Sequence, residues 1–351
     1  MRSSGVCLPA FARVRVHQNA FAMTPFRNYI TPEVFMGRFF HYYLRSMRLY
    51  YCFVTGVATL AGCVAARGVT EHLPVWDWCD TAVIVIGFLA WGVNQIVSDW
   101  FDRKEDAVNA PHRPMVTGEL SPRPALILSG SLMALFAVTA FLVSPVSLLI
   151  LIVGGLLNVL YSLLKGVPVL NTLVYGAAIF CCTLFGLSAH CNLIENGAHW
   201  LLPALCFFGL PPHILMCHNS YFKDIEGDRA AGLRTLPVLF PRFSLWLGMI
   251  LSGGWTALIV FLLCNMMLSL GALTERLLLF VFLLMTVYLT FRLFRHLWKK
   301  DQHRATRLNC QLCVAWLWLI PAAFSPYWLI GMLASVLLIQ LIYKWYPDDK
   351  E

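Results

Sequence analysis

Residues 81–106 read TAVIVIGFLAWGVNQIVSDWFDRKED. As far as Val97 the run is apolar and continuous, without the alternation of a strand, so it reads as a buried or lipid-facing helix. Acids then crowd its end: Asp99, Asp102, Glu105 and Asp106 all follow within the next nine residues. A chain that places so many carboxylates at the mouth of an apolar helix must either leave them in water or neutralise them. The remaining sequence bears on that choice.

The chain has 351 residues, 59% of them hydrophobic and 13% charged. No soluble domain of this size needs so much apolar surface, whereas a polytopic membrane protein does. A helix needs about 20 mostly apolar residues to cross the hydrocarbon layer. Lipid leaves backbone groups no partner outside the protein, which restricts the choice to helices or a closed barrel. The runs are unbroken rather than alternating, so the expected fold is all-α. Apolar spans fall at 49–67, 81–101, 124–143, 145–163, 168–189, 200–221, 243–264, 276–295 and 307–343. The last is too long for one crossing and has Pro321 and Pro326 in its middle, giving nine or ten crossings. Residues 1–45 form a basic tail whose 33–45 stretch can lie as an amphipathic helix on the membrane surface. Residues 46–345 form the membrane domain, and 346–351 a C-terminal tail. The arginine-rich start suits a transit peptide or a basic cytoplasmic tail, and no apolar secretory signal precedes Thr31. The 12 cysteines are scattered in apolar runs, so no disulfide framework is expected, and Cys310 and Cys313 read as small buried side chains.

Lys and Arg alternate cleanly between the two faces. Seven arginines precede the first crossing, and basic clusters follow the second, sixth and eighth, with Lys165 after the fourth. The opposite face carries little beyond Arg67 and Arg276. The positive-inside rule places the N-terminus and the basic loops in the cytoplasm or its organellar equivalent. The net charge of +8 follows from this topology and does not call for nucleic acid.

Seven of the 18 acids lie in two stretches on that same side: Asp99, Asp102, Glu105 and Asp106 after crossing two, and Asp224, Glu226 and Asp228 after crossing six. On a helix, Asp99, Asp102 and Asp106 share a face, as do Asp224 and Asp228. Carboxylates gathered in this way repel one another and require cations. Beside water they suit Mg²⁺, which keeps part of its hydration and is typically shared with phosphates. Two facing sets with Mg²⁺ between them make a diphosphate site, which nearby Lys and Arg complete. Asn94, Ser98 and Asp102 step along one face of crossing two, and His213, His218 and Asn219 lie in crossing six. Polar groups at membrane depth face a cavity or a partner helix. A transporter would place its acids near the midplane on broken helices, and only Pro211-Pro212 in crossing six suggests such a break.

The segment SDWFDRKEDAVNAPHRP resembles the first aspartate-rich motif of the UbiA superfamily of membrane prenyltransferases, N-D-x-x-D-x-x-x-D followed by N-R-P. KDIEGDRAAGLRTLPV, residues 223–238, resembles the second motif, and YSLLK, Tyr161 to Lys165, resembles its Y-x-x-x-K. The chain departs from the pattern at Ser98 and His112, which replace asparagines, and at Tyr221, which replaces an acid. The resemblance implies a helical bundle around a central cavity that binds an isoprenoid diphosphate through Mg²⁺ and passes the prenyl group to an aromatic or other polar acceptor in the bilayer. It implies Asp102, Asp106, Asp224 and Asp228 as the catalytic metal-holding acids, with Asp99 and Ser98 beside them. Arg113, Tyr161, Lys165 and Lys223 would contact the diphosphate, and Arg48 and Asn94 the acceptor. A terpene cyclase on the same scaffold, which needs no acceptor, is the alternative.

Overall fold

The structure is a computed structural model and describes residues 32–69, 76–190 and 200–346. The arginines at 2, 13, 15 and 27 and the tail from residue 347 lie outside the described residues. In chain order the helices are α1 (Pro32–Ser46), α2 (Cys52–Val69), α3 (Trp78–Phe101), α4 (Arg103–Asn109), α5 (Pro114–Thr117), α6 (Pro122–Val143), α7 (Pro145–Leu163), α8 (Leu170–Leu187), α9 (Leu201–Ser220), α10 (Ile225–Ala230), α11 (Leu236–Leu239), α12 (Pro241–Ser269), α13 (Leu273–Trp298), α14 (Gln302–Leu317), α15 (Leu319–Phe324) and α16 (Leu329–Tyr343). No strand forms among the described residues.

Among the described residues, ten helical spans are long and apolar enough to cross a membrane: α2, α3, α6, α7, α8, α9, α12, α13, α14 with α15, and α16. The overlong 307–343 stretch is therefore a hairpin of two crossings. Pro321 lies within α15 and Pro326 opens the turn before α16, with Ser325 extended between them. Helix starts follow local chemistry. Proline stands at the first position of α6, α7 and α12, where its missing N–H costs nothing. Asp77 accepts from Cys79 and Asp80 in a capping box at the start of α3. Pro211 and Pro212 lie inside α9, yet the helix runs from Leu201 to Ser220 without unwinding.

Helices close in sequence pack side by side, and α2 runs through the interior against α3, α8 and α14. The closest crossing is α2 on α8. A Cβ on Gly62 would strike the Thr183 carbonyl, and one on Gly186 the Thr59 carbonyl, so each backbone lies in a groove the other's glycine leaves. At the end of this pair remote from the aspartate motifs, Asp80 is fully buried between Arg67 of α2 and His190, whose Nε2 is 2.7 Å from Oδ1. These contacts pin the ends of three helices. The ten described cysteines are all free thiols, and Cys310 and Cys313 are fully buried in α14.

The bundle is not uniform. The largest apolar cluster fills the second half, where α12, α13, α14 and α16 pack on α2 and α9. The first half instead encloses a cavity of about 430 Å³, walled by residues of α2, α3, α6, α7, α8 and α9. We expect Gly62→Val to lower stability by about 1–3 kcal/mol through overpacking, measured as a drop in the detergent unfolding midpoint. Gly130→Ala, where a Cβ meets nothing within 4 Å, should leave the midpoint unchanged or raise it.

Candidate active site between the two aspartate motifs

The two motifs build the same local structure. α3 ends at Phe101, Asp102 takes φ −83°, ψ 7°, and α4 begins at once. α9 ends in a single tight turn, Asp224 takes φ −104°, ψ 2°, and α10 begins. Both aspartates occupy the sparsely allowed bridge region, where active-site residues are often found. Each accepts, on its backbone carbonyl, the amide of the acid four residues on: Asp106 to Asp102 and Asp228 to Asp224, both at 2.8 Å. Seven residues further, Arg113 pairs with Asp106, and the Thr235 hydroxyl donates to Asp228 at 3.4 Å. Each of those partners precedes a short helix with proline in its first turn, α5 and α11. α4 then packs against α10, which brings the motifs together at one end of the cavity.

Lys165 lies between them on the loop after α7. Its ammonium is 3.5 Å from Asp102. Burial works against its charge, but Asp102, Asp224, Asp228 and Asp106 together hold the amine above its ordinary range. The carboxylates show the complementary stress. Burial raises Asp106 against the pull of Arg113 and Arg48. Burial, with Asp224 adding to it, pushes Asp228 up to about 6. Asp228 Oδ1 is buried with no hydrogen-bond partner among the described residues. Lys223 lies 3.6 Å from Asp224. Four aspartates, Asp99, Asp102, Asp106 and Asp224, thus pair with four cationic side chains, Arg48, Arg113, Lys165 and Lys223, and Asp228 feels the two lysines at longer range. Adding a diphosphate to that set would leave the mouth strongly negative. The donor chemistry, crowded carboxylates with a buried oxygen that has no hydrogen-bond partner, fits a hard divalent cation.

The loop carrying Lys165 is strained. Val169 has φ 68°, ψ −52°, and Leu170 N–H bonds the Pro168 carbonyl at 2.7 Å, a γ-turn of the unfavoured hand. A β-branched residue there costs about 1–3 kcal/mol. Asn171 offsets this by clamping the loop: its Nδ2 donates to the Lys165 carbonyl at 3.0 Å and its backbone N–H to that of Val167 at 3.2 Å.

Asp102, Asp106, Asp224, Ser98, Asn94, Arg48, Arg113, Tyr161, Lys165 and Lys223 all line the one cavity. Asp228 stands behind Asp224, fully buried. Asp99 does not face the cavity beside Asp102 and Asp106 as its spacing suggests. It is 2% exposed, its Oδ1 accepts from Arg48 at 2.7 Å and Gln95 at 2.8 Å, and Arg113 lies 3.6 Å away. Its neighbours, not helix phase, decided this: two arginines and an amide draw it inward. Arg48 itself sits in the left-handed region at φ 48°. His213, His218 and Asn219 also turn away from the cavity. His218 Nε2 bonds the Ser244 carbonyl at 2.9 Å, and Asn219 donates to Ser252 at 3.1 Å, so both join α9 to α12.

Sequence reasoning missed Asn158, Asn171 and Thr235. Asn158 was legible, since it stands three residues before Tyr161 on the same face of α7. It donates to Asn94 at 3.2 Å, joining opposite walls of the cavity. Aromatic rings continue the wall: Tyr51 stacks on Trp91 with centroids 4.7 Å apart, and Tyr175 sets its edge to Trp91 at 6.2 Å and to Tyr161 at 5.1 Å.

The chain is similar to known proteins. Digeranylgeranylglyceryl phosphate synthase of Methanothrix thermoacetophila is 30% identical over 204 residues, covering 57% of this chain and 71% of that protein. Chloroplastic chlorophyll synthase of Oryza sativa subsp. japonica is 30% identical over 203 residues, 51% of this chain and 50% of its own length. The solved structure of a UbiA homolog from Archaeoglobus fulgidus bound to GPP and Mg²⁺ superposes with a TM-score of 0.56 at 21% identity, over 84% of this chain and 99% of that one, a likeness of fold. The UbiA prenyltransferase family pattern matches residues 55–320. With ten membrane helices, paired aspartate motifs at the mouth of one cavity and that match over most of its length, the chain belongs to the UbiA prenyltransferase family.

Proposed function

We propose that this chain transfers a prenyl group from an isoprenoid diphosphate, held with Mg²⁺ between the aspartate motifs, to a hydrogen-bonding acceptor inside the membrane. The observation that carries the reading is the convergence of four aspartates on Lys165 at the mouth of an aromatic, apolar cavity. The basic loops support an orientation with the N-terminus and both motifs on the cytoplasmic or equivalent organellar side.

Asp102, Asp106, Asp224 and Asp228 would hold Mg²⁺, which when bound offsets charge on the diphosphate as it leaves. Lys165, Lys223 and Arg113 add positive charge around the same oxygens, and Tyr161 offers a hydroxyl. Asp99 holds Arg48 and Arg113 in place. The C–O bond breaks with both electrons going to the diphosphate oxygen, and the allylic cation left behind faces Tyr51, Trp91 and Tyr175. Desolvated rings stabilise a cation by about 2 kcal/mol each at best. The cavity also keeps out water that would trap the cation. The donor's isoprenoid tail would lie in the apolar chamber, so the acid-lined end takes the charged head.

The Asn94–Asn158 pair favours transfer over cyclisation. Once bonded to each other these amides still hold an unspent donor and acceptor facing the cavity. Buried polar groups in an apolar chamber are costly without partners, and a hydrocarbon tail offers none, whereas an acceptor with oxygen atoms does. The acceptor class, aromatic or otherwise, is left to the product. Relatives at equal identity bear names with different products.

Three outcomes test this reading. Asp102→Ala or Asp224→Ala should cut turnover about 100-fold or more while membrane insertion is retained, measured as diphosphate release in Mg²⁺-supplemented membranes. Substantial activity in either variant refutes the metal assignment. Mass spectrometry of products from donors of increasing length should show no turnover of donor alone and prenylated product once membrane lipids or phenolic acceptors are added; a cyclic hydrocarbon from donor alone would establish the cyclase instead. Gly155→Phe should shift preference toward shorter donors, because a side chain at Gly155 meets nothing within 4 Å and would enter the cavity it lines.

A further inference from the structure

Tyr221 is 4% exposed and Asn171 1% exposed, and neither belongs to the set that holds charge at the site. A phenylalanine at 221 would pack equally well, and a buried hydroxyl costs free energy unless it is hydrogen-bonded. Both residues instead join a chain of hydrogen bonds whose direction follows from the partners at its start.

The amide of Asn171 can be oriented from its partners. Thr172 N–H, which can only donate, lies 2.7 Å from Oδ1, with the Thr172 hydroxyl at 3.1 Å. The Lys165 carbonyl, which can only accept, lies 3.0 Å from Nδ2. Nδ2 therefore spends one hydrogen on Lys165 and gives the other to Tyr221 Oη at 2.9 Å. Tyr221 Oη accepts there and donates its own hydrogen onward to Tyr161 Oη at 3.2 Å; the Cys217 thiol, which also bonds Tyr221, can donate to the remaining lone pair of the same oxygen. Tyr161 Oη, already accepting, directs its hydrogen away from Tyr221. Tyr161 lines the cavity four residues before Lys165, so that hydrogen is left for a ligand in the cavity they share. Chains of this kind polarise each bond in turn and strengthen the last donor.

We propose that Asn171 and Tyr221 are positioning residues that aim and sharpen the Tyr161 hydroxyl as a hydrogen-bond donor to the departing diphosphate. The inference rests on the prenyl-transfer reading above. As the C1–O bond breaks, the electron pair stays on the diphosphate oxygen, and Tyr161 keeps its proton while donating to the growing charge. The bond strengthens as charge builds, so its loss is felt in kcat rather than in donor binding. Asn171 couples two parts of the site: the amide that sets the direction of the chain also holds the Lys165 loop.

The test uses the full chain in membranes with Mg²⁺ and prenyl diphosphates of ten to twenty carbons. Rates are expressed per donor site, counted by binding of the non-ionising thiolodiphosphate analogue, so unfolded protein is not scored. Tyr221→Phe and Tyr161→Phe should each lower kcat about tenfold with donor KM changed less than about twofold. The double variant should be no slower than Tyr161→Phe alone, since the chain acts only through Tyr161. A Tyr221→Phe enzyme with wild-type kcat overturns the relay, as do losses that multiply in the double variant or appear mainly in KM. A wild-type chain that releases no diphosphate with any donor refutes the prenyl-transfer reading and the relay with it.

Discussion

The structure turns on one electrostatic constraint. Four aspartates from two motifs far apart in the chain gather around the ammonium of Lys165 at the end of an apolar chamber. Carboxylates placed this close to each other and to lipid do not remain ionised without compensation. The protein supplies part of it with two arginines and two lysines, and the strain that remains shows in Asp228, held up to about 6 with one oxygen unpaired. Everything else at the site serves this cluster. Asp99 fixes the arginines, Asn171 clamps the lysine loop over its unfavourable γ-turn, and the short helices α4 and α10 lean on each other to bring the motifs face to face.

The bundle divides its polar groups between two tasks. In the first half, Asn94, Ser98 and Asn158 face the cavity, where they remain open to a ligand. In the second half, Asn219, Asn309, Ser252 and His218 bond to one another or to backbone carbonyls and draw α9 onto α12 and α14. Both sets consist of polar residues inside apolar helices, and each faces either a cavity or a partner helix, as such residues do. The first set builds a chamber and the second a scaffold. The close α2–α8 crossing at Gly62 and Gly186 and the buried Asp80 cluster at the far end hold the chamber walls against that scaffold.

Much of this was legible in residue order. Continuous apolar runs and the alternation of basic loops marked the crossings, because lipid admits little besides helices and because charge sorts across a membrane. The long last run, with Pro321 and Pro326 in its middle, left nine or ten crossings open, and the structure divides it into two spans, each long and apolar enough to cross. Matched spacing from Asp102 to Asp106 and from Asp224 to Asp228 reappears as matched backbone, with both leading aspartates in the bridge region. Asp99 shows the limit of periodicity: helix phase placed it with the other acids, and the arginines around it took it inward.

The sequence by itself determined the class of the molecule, a polytopic helical membrane protein, and the two acidic clusters after crossings two and six, since these follow from composition and local spacing along one helix at a time; the basic partners came from the family resemblance. Only the tertiary structure decided which polar side chains open onto the cavity, which face α9 presents to α12, and that Asn171, Tyr221 and Tyr161 form one directed chain. Those outcomes depend on partners that stand 50 to 60 positions away along the chain, Tyr221 from Asn171 and Tyr161. A hydrogen bond is short and directional, so its existence is settled by how helices meet in space and leaves no trace in the period of any one of them.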